Sequence, residues 1–274
     1  MDQLFQSLVM GIVQGLTEFL PISSSGHLIL VPYLFGWTDP FLTSLAFEVV
    51  VSAGTLAALL VYFRNDWIRL TLAFFASLRD RSLAGDPDRR LVWLLVLATV
   101  PAAIIAYFLN DFIDQNVRKP GLVAIMLLLA GGVLWVADRW GSRARKIDEM
   151  TAPAAVGIGL AQALALFNGV SRSGISISAG LFAGLDRESA TRFSFLMATP
   201  ITFLAVAYET VKLLRGEVAG AEPGPLLVGV VAAFVSGVAA IEVLLRYVRT
   251  HSFNVFVAYR VILAAVVLAV FLTR

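Results

Sequence analysis

Apolar residues in this chain run rather than alternate. Six stretches, about 44–63, 91–109, 120–137, 192–213, 225–245 and 253–272, are almost free of charge. Each is long enough for a helix rising 1.5 Å per residue to cross a hydrocarbon core of about 30 Å. None shows the strict two-residue alternation of a barrel strand. Two further apolar segments, 4–36 and 152–184, are broken mid-way by polar clusters, "PISSSG" (Pro21 to Gly26) and "NGVSRSG" (Asn168 to Gly174). The pattern predicts an all-α integral membrane protein forming a single domain over residues 1–274, with about six transmembrane helices and two broken helical segments.

Composition agrees: 59% of the 274 residues are hydrophobic, 15% are charged, and the mean hydropathy is +0.84, far above that of a soluble domain. The N-terminal stretch lacks the basic flank and small-residue cleavage site of a secretory signal, so it is expected to belong to the mature fold. Cysteine is absent, which excludes disulfides, thiolate catalysis and Cys-based metal sites. The net charge of +2 comes from arginine-rich loops, at 64–90, 138–146, 186–192 and 246–250, and gives no case for nucleic acid. The positive-inside tendency places all four loops on the cytoplasmic side. Counting crossings between them then makes 152–184 dip in from the inside and return, and makes 4–36 a re-entrant loop from the outside. Irregular backbone survives at membrane depth only beside protein or a wet cavity, so two breaks predict a cavity between them.

The breaks are copies of one another. Sliding the chain by 148 places "GIVQGLTEFLPISSSG" on "GLAQALALFNGVSRSG", so that Gly11, Gln14, Leu16, Phe19, Ser23, Ser25 and Gly26 meet Gly159, Gln162, Leu164, Phe167, Ser171, Ser173 and Gly174; farther on, Phe47 meets Phe195. With opposite sides of approach the halves, roughly 1–137 and 138–274, form an inverted-topology repeat whose tips meet near the midplane.

Chemistry is divided between the copies. Glu18, Ser24 and His27 in the first stand where the second has Leu166, Arg172 and Ile175. Arg172, between Ser171 and Ser173 and just before Gly174 and a segment able to restart a helix, reads as an anion site built from a guanidinium fork and free backbone N–H groups. Ser23 and Ser25 either share that task or satisfy carbonyls freed by the break. Gln14 and Glu18, four apart, share a helix face and supply part of a hard-cation site completed by water and phosphate oxygens. Ser24 and His27 fit a nucleophile with its base, or His27 an acid for a leaving oxygen. Glu48 either lines the same cavity or marks the outer end of its helix. Gln162 is expected to be a structural hydrogen-bonding partner, and His251 a solvated loop residue.

Together, "GIVQGLTEFLPISSSGHLILV" and "ALFNGVSRSGISISAG" resemble the two signatures of the undecaprenyl-pyrophosphate phosphatase family, integral membrane enzymes of the bacitracin-resistance type; "FEVVVSAG" and "SFNVFVAYR" fit as well. The resemblance implies hydrolysis of the C55 isoprenyl pyrophosphate to the monophosphate, which recycles the lipid carrier for cell-wall glycan synthesis. It also implies a multi-pass protein of the bacterial cytoplasmic membrane with its site opening to the outer, periplasmic face, and a divalent cation, Mg²⁺ or Ca²⁺. Position by position it casts Gln14 and Glu18 as the acidic motif, Ser24 as nucleophile, His27 as acid or base, and Ser171, Arg172 and Ser173 as the phosphate loop. Asn168, Ser176 and Gln14 depart from the family's usual Pro, Thr and Glu. A homodimer stays open. The rival expectation is a lipid-phosphate flippase or secondary transporter with a midplane anion site. A phosphatidic-acid-phosphatase-like mechanism needs His where this chain has Ser178.

Overall fold

The computed structural model describes residues 3–215 and 222–273, the side chains of 110–116 and 213–214 excepted. Its regular elements are all helical: α1 (Gln3–Phe19), α2 (Ser24–Phe35), α3 (Leu45–Tyr62), α4 (Arg64–Asp80), α5 (Pro87–Val117), α6 (Pro120–Trp140), α7 (Ala152–Gln162), α8 (Arg172–Phe182), α9 (Arg187–Leu214), α10 (Pro223–Val248) and α11 (Asn254–Thr273). Helix starts follow their sequence cues. Pro87, Pro120 and Pro223 open α5, α6 and α10, where a missing N–H costs nothing. Ser44, Asp86 and Thr151 cap α3, α5 and α7 by accepting a backbone N–H.

Six helices are long and apolar enough to cross a membrane, Leu45–Tyr62, Pro87–Leu109, Pro120–Trp140, Arg187–Lys212, Pro223–Val248 and Asn254–Thr273. They coincide with the six apolar runs, and the chain is a multi-pass membrane protein. The arginine-rich stretch after α3, read from sequence as a loop, instead contains α4. Charges mask its apolar stripe, of which Ile68, Leu72 and Phe75 are exposed.

Packing is reciprocal. α1 lies along α10 and α7 along α5; α3 packs on α9 and α6 on α11; α8 touches α6 while α2 touches α11. The two broken segments are thereby carried by different neighbours and brought tip to tip. Small residues allow the close approaches: a Cβ on Gly11 would sit 2.3 Å from the carbonyl oxygen of Gly229 on α10, and one on its sequence mate Gly159 would sit 2.1 Å from that of Ala98 on α5. A large apolar core including Phe19, Phe63, Phe193 and Phe195 fills the end of the bundle beneath the breaks.

Candidate active site

The two breaks share one local design. α2 begins at Ser24 and α8 at Arg172, two residues before Gly26 and Gly174. The reason is capping. Ser23 and Ser171 stand at N-cap with φ of 77° and 75°, and their hydroxyls accept the N–H groups of Gly26 and Gly174 at 3.3 and 3.1 Å. Left-handed backbone is unfavourable for serine, and such strain persists only where the surroundings hold it. Here the surroundings are the opposite tip. Ser23 Oγ also accepts the N–H of Gly169 at 3.1 Å, and Ser173 Oγ donates to the carbonyl of Leu20 at 3.2 Å. Ser23 Oγ therefore receives backbone N–H groups, and among the described residues it makes no bond to a freed carbonyl.

Between the tips lies a cavity of about 290 Å³ lined by Glu18, Ser24, Ser25, Ser171 and Arg172, with Glu48, Ser52, Gln162 and Thr202 among its other walls. Arg172 Nη2 donates to Glu18 Oε1 at 2.6 Å and Nη1 to Thr202 Oγ1 at 3.0 Å. Ser24 Oγ donates to Glu18 Oε2 at 2.5 Å. One carboxylate thus joins the hydroxyl of the first tip to the cation of the second. Gln14, 1% exposed, donates from Nε2 to Glu18 Oε2 at 3.1 Å and to Ser52 Oγ at 3.0 Å, and its buried Oε1 has no partner among the described residues.

Seven of the residues singled out from sequence, Glu18, Ser24, Ser25, Glu48, Gln162, Ser171 and Arg172, line the cavity. Ser23, Ser173 and Gly174 are buried in the tips. His27 does not pair with Ser24: its Nδ1 lies 2.7 Å from the carbonyl oxygen of Ser23 and its Nε2 2.7 Å from the hydroxyl of Tyr259, against whose ring it stacks. Glu48 lines the cavity from the first turn of α3 and accepts from Arg118 at 2.9 Å. Gln162 is not the expected hydrogen-bonding partner: both its amide atoms are buried and unpaired among the described residues. Where Gln14 has Glu18 four residues on, Gln162 has Leu166. His251 is exposed, as expected. Sequence reasoning missed Ser52, Thr202, Tyr259 and Arg260, although the first lies in "FEVVVSAG" and the last two end "SFNVFVAYR".

Two larger cavities, of about 400 and 480 Å³, lie among the charged loops at the other end. Arg69 and Arg192 in one are paired with Asp66, and Arg187 in the other with Asp138. Neither contains a residue singled out for chemistry.

Among the described residues no group of three or more His, Asp or Glu forms a metal cluster. The oxygens available to a hard cation are those of Glu18, at the cavity wall, and Gln14 Oε1, buried behind it and without a partner among the described residues, so water and phosphate would have to supply the remaining ligands.

Comparisons place these features in a family. The relatives include proteins named undecaprenyl-diphosphatase from Gemmatimonas aurantiaca, 47% identical over 270 residues and covering 98% of both chains. Those from Desulforudis audaxviator and Thermomicrobium roseum are 44% and 41% identical over 98% and 97% of both chains. The family model described as bacitracin resistance protein BacA matches residues 7–266, taking in both breaks and every residue lining the cavity, and the chain belongs to that family.

Proposed function

We propose that this chain hydrolyses undecaprenyl diphosphate to undecaprenyl phosphate and inorganic phosphate, returning the lipid carrier to cell-wall glycan synthesis and conferring bacitracin resistance. The observation that carries the reading is the Ser24–Glu18–Arg172 relay across the two tips. The diphosphatase name of relatives matching the whole chain supports it over the flippase or transporter alternative.

In this reading the diphosphate enters the cavity and takes over Arg172, assisted by backbone N–H groups at the starts of α2 and α8. Ser24 Oγ, its proton passing to Glu18 Oε2, attacks the terminal phosphorus. The Oγ–P bond forms as the bridging P–O bond breaks, and the lipid monophosphate leaves with the proton that Glu18 took from Ser24. Water then attacks the phosphoserine, with Glu18 accepting its proton and returning it to Ser24 Oγ as the Oγ–P bond breaks, and inorganic phosphate departs. His27 is assigned the second-rank task of fixing the Ser23 carbonyl, and with it the cap in front of Ser24, while Tyr259 shares its outer nitrogen. Gln14 and Glu18 would hold a divalent cation, Mg²⁺ or Ca²⁺, whose contribution is to offset negative charge on the phosphate oxygens. Ser25, Ser171 and Ser173 line or brace the anion site.

We also infer an inverted repeat of two halves around this site, supported by the reciprocal packing and by the matched serine caps 148 residues apart. The cavity is assigned to the periplasmic side of the cytoplasmic membrane. Its wall residue Glu48 is joined to Arg118 at the α5–α6 turn, away from the four arginine-rich loops.

Phosphate release from isoprenyl diphosphates, assayed in detergent with Mg²⁺ or Ca²⁺, tests the proposal. Ser24→Ala, Glu18→Gln and Arg172→Ala are each expected to lower kcat by about 100-fold or more, and radiolabelled phosphate is expected to be trapped on the parent chain but not on Ser24→Ala. Undiminished turnover in Glu18→Gln and Arg172→Ala would refute it.

A further inference from the structure

Arg260 sits on α11 and is 0% exposed, the largest fully buried side chain described. No carboxylate pairs with it among the described residues. Instead Nε donates to the carbonyl of Pro21 at 2.7 Å and Nη2 to the carbonyl of Val170 at 3.0 Å. Those carbonyls belong to the first and second breaks respectively, so one planar fork grips both tips from behind. The surroundings are shaped for it. A Cβ on Gly174 would lie 2.6 Å from Nη2, and one on Gly131 of α6 would lie 3.3 Å from Cδ. Glycine at 131 lets the stem pass and glycine at 174 lets the head reach the second tip.

A guanidinium held in a membrane protein's interior without a counter-charge is costly, and a neutral side chain would fill the same space more cheaply. What the fork adds is geometry. Breaking a helix frees carbonyls that have no helical partner, and Arg260 satisfies one from each break with donors whose spacing is fixed by the guanidinium plane. We infer that Arg260 is a positioning residue: it sets the register of the two broken tips, and so the distance between the Ser24–Glu18 pair on one and Arg172 on the other. Tyr259, the preceding residue, meets His27 Nε2, so α11 braces the first tip through neighbouring side chains.

The kinetic half of this inference rests on the phosphatase reading; the structural half does not, and the test separates them. Arg260→Met keeps the apolar stem and removes the fork. Amide hydrogen exchange on the purified protein in detergent is expected to rise at residues 20–27 and at 168–175 together, while α3 and α9 keep their protection. With isoprenyl diphosphate, kcat is expected to fall about 100-fold with KM within about threefold of the parent, because Arg172 still holds the anion while the attacking group is displaced. If R260M does not fold, R260K, which keeps stem and charge but not the fork, takes its place and the same readings apply at reduced size. Unchanged exchange at both segments, or a rise confined to one, overturns the clamp even if the protein proves to have no phosphatase activity. A fall carried by KM alone overturns the positioning role and leaves the phosphatase reading standing.

Discussion

Gln162 shows how much one neighbour decides at the residue scale. Gln14 and Gln162 are sequence mates, yet the first donates to Glu18 and Ser52 while the second has both amide atoms buried and unpaired among the described residues. An orphaned buried amide costs about 1–3 kcal/mol. Gln162→Leu is therefore expected to raise the thermal midpoint of the purified protein in the absence of substrate; a lowered midpoint would mean that the amide is satisfied by water. The missing carboxylate was readable in advance, since Leu166 occupies the place of Glu18. The partner of Ser24 was not. Ser24 and His27 are three apart at the start of a helix and look like a pair, but the imidazole is claimed by Tyr259, 232 residues away. No local pattern encodes that choice. The same holds for Arg260, which stands in an apolar run and reveals its task only once Pro21 and Val170 meet it.

At the scale of elements, the two broken segments depend on helices that approach without side chains between them. Gly11 on α1 and Gly159 on α7 are 148 residues apart, and each faces a carbonyl of its partner helix. Gly11→Val and Gly159→Val are both expected to destabilise the protein by about 3 kcal/mol or more, because overpacking at backbone contact cannot be relieved by rotating a side chain. Gly132→Val on α6, where a Cβ meets nothing within 4 Å, is the control, and thermal unfolding followed by size-exclusion recovery measures all three. If the Gly11 and Gly159 variants behave like Gly132→Val, the close approach is not what holds these pairs. The six spans were legible because uninterrupted apolar length is a strong signal. The breaks were legible because polar clusters stand out inside such runs. α4 was not, since a helix with one exposed apolar stripe and many charged residues has the composition of a loop.

For the whole molecule, the assigned orientation makes a simple demand. The chain has no cysteine, so single introduced thiols report unambiguously. In intact cells a membrane-impermeant maleimide is expected to label Thr38→Cys, in the α2–α3 loop, and to reach Leu83→Cys, in the α4–α5 loop, only after lysis. The reverse pattern would turn the cavity toward the cytoplasm. The reciprocal packing of the helices has a further consequence, which concerns time rather than space. Glu18 is made early, its counter-charge Arg172 follows 154 residues later, and the fork that spans both breaks follows Pro21 by 239. During synthesis the first tip must wait with Glu18 held by Gln14 and Ser24 but without its counter-charge, and with Ser23 lacking the Gly169 N–H that meets it in the finished fold. The site therefore closes in two stages: the tips can meet only after α8 is made, and the brace behind them can be added only after α11.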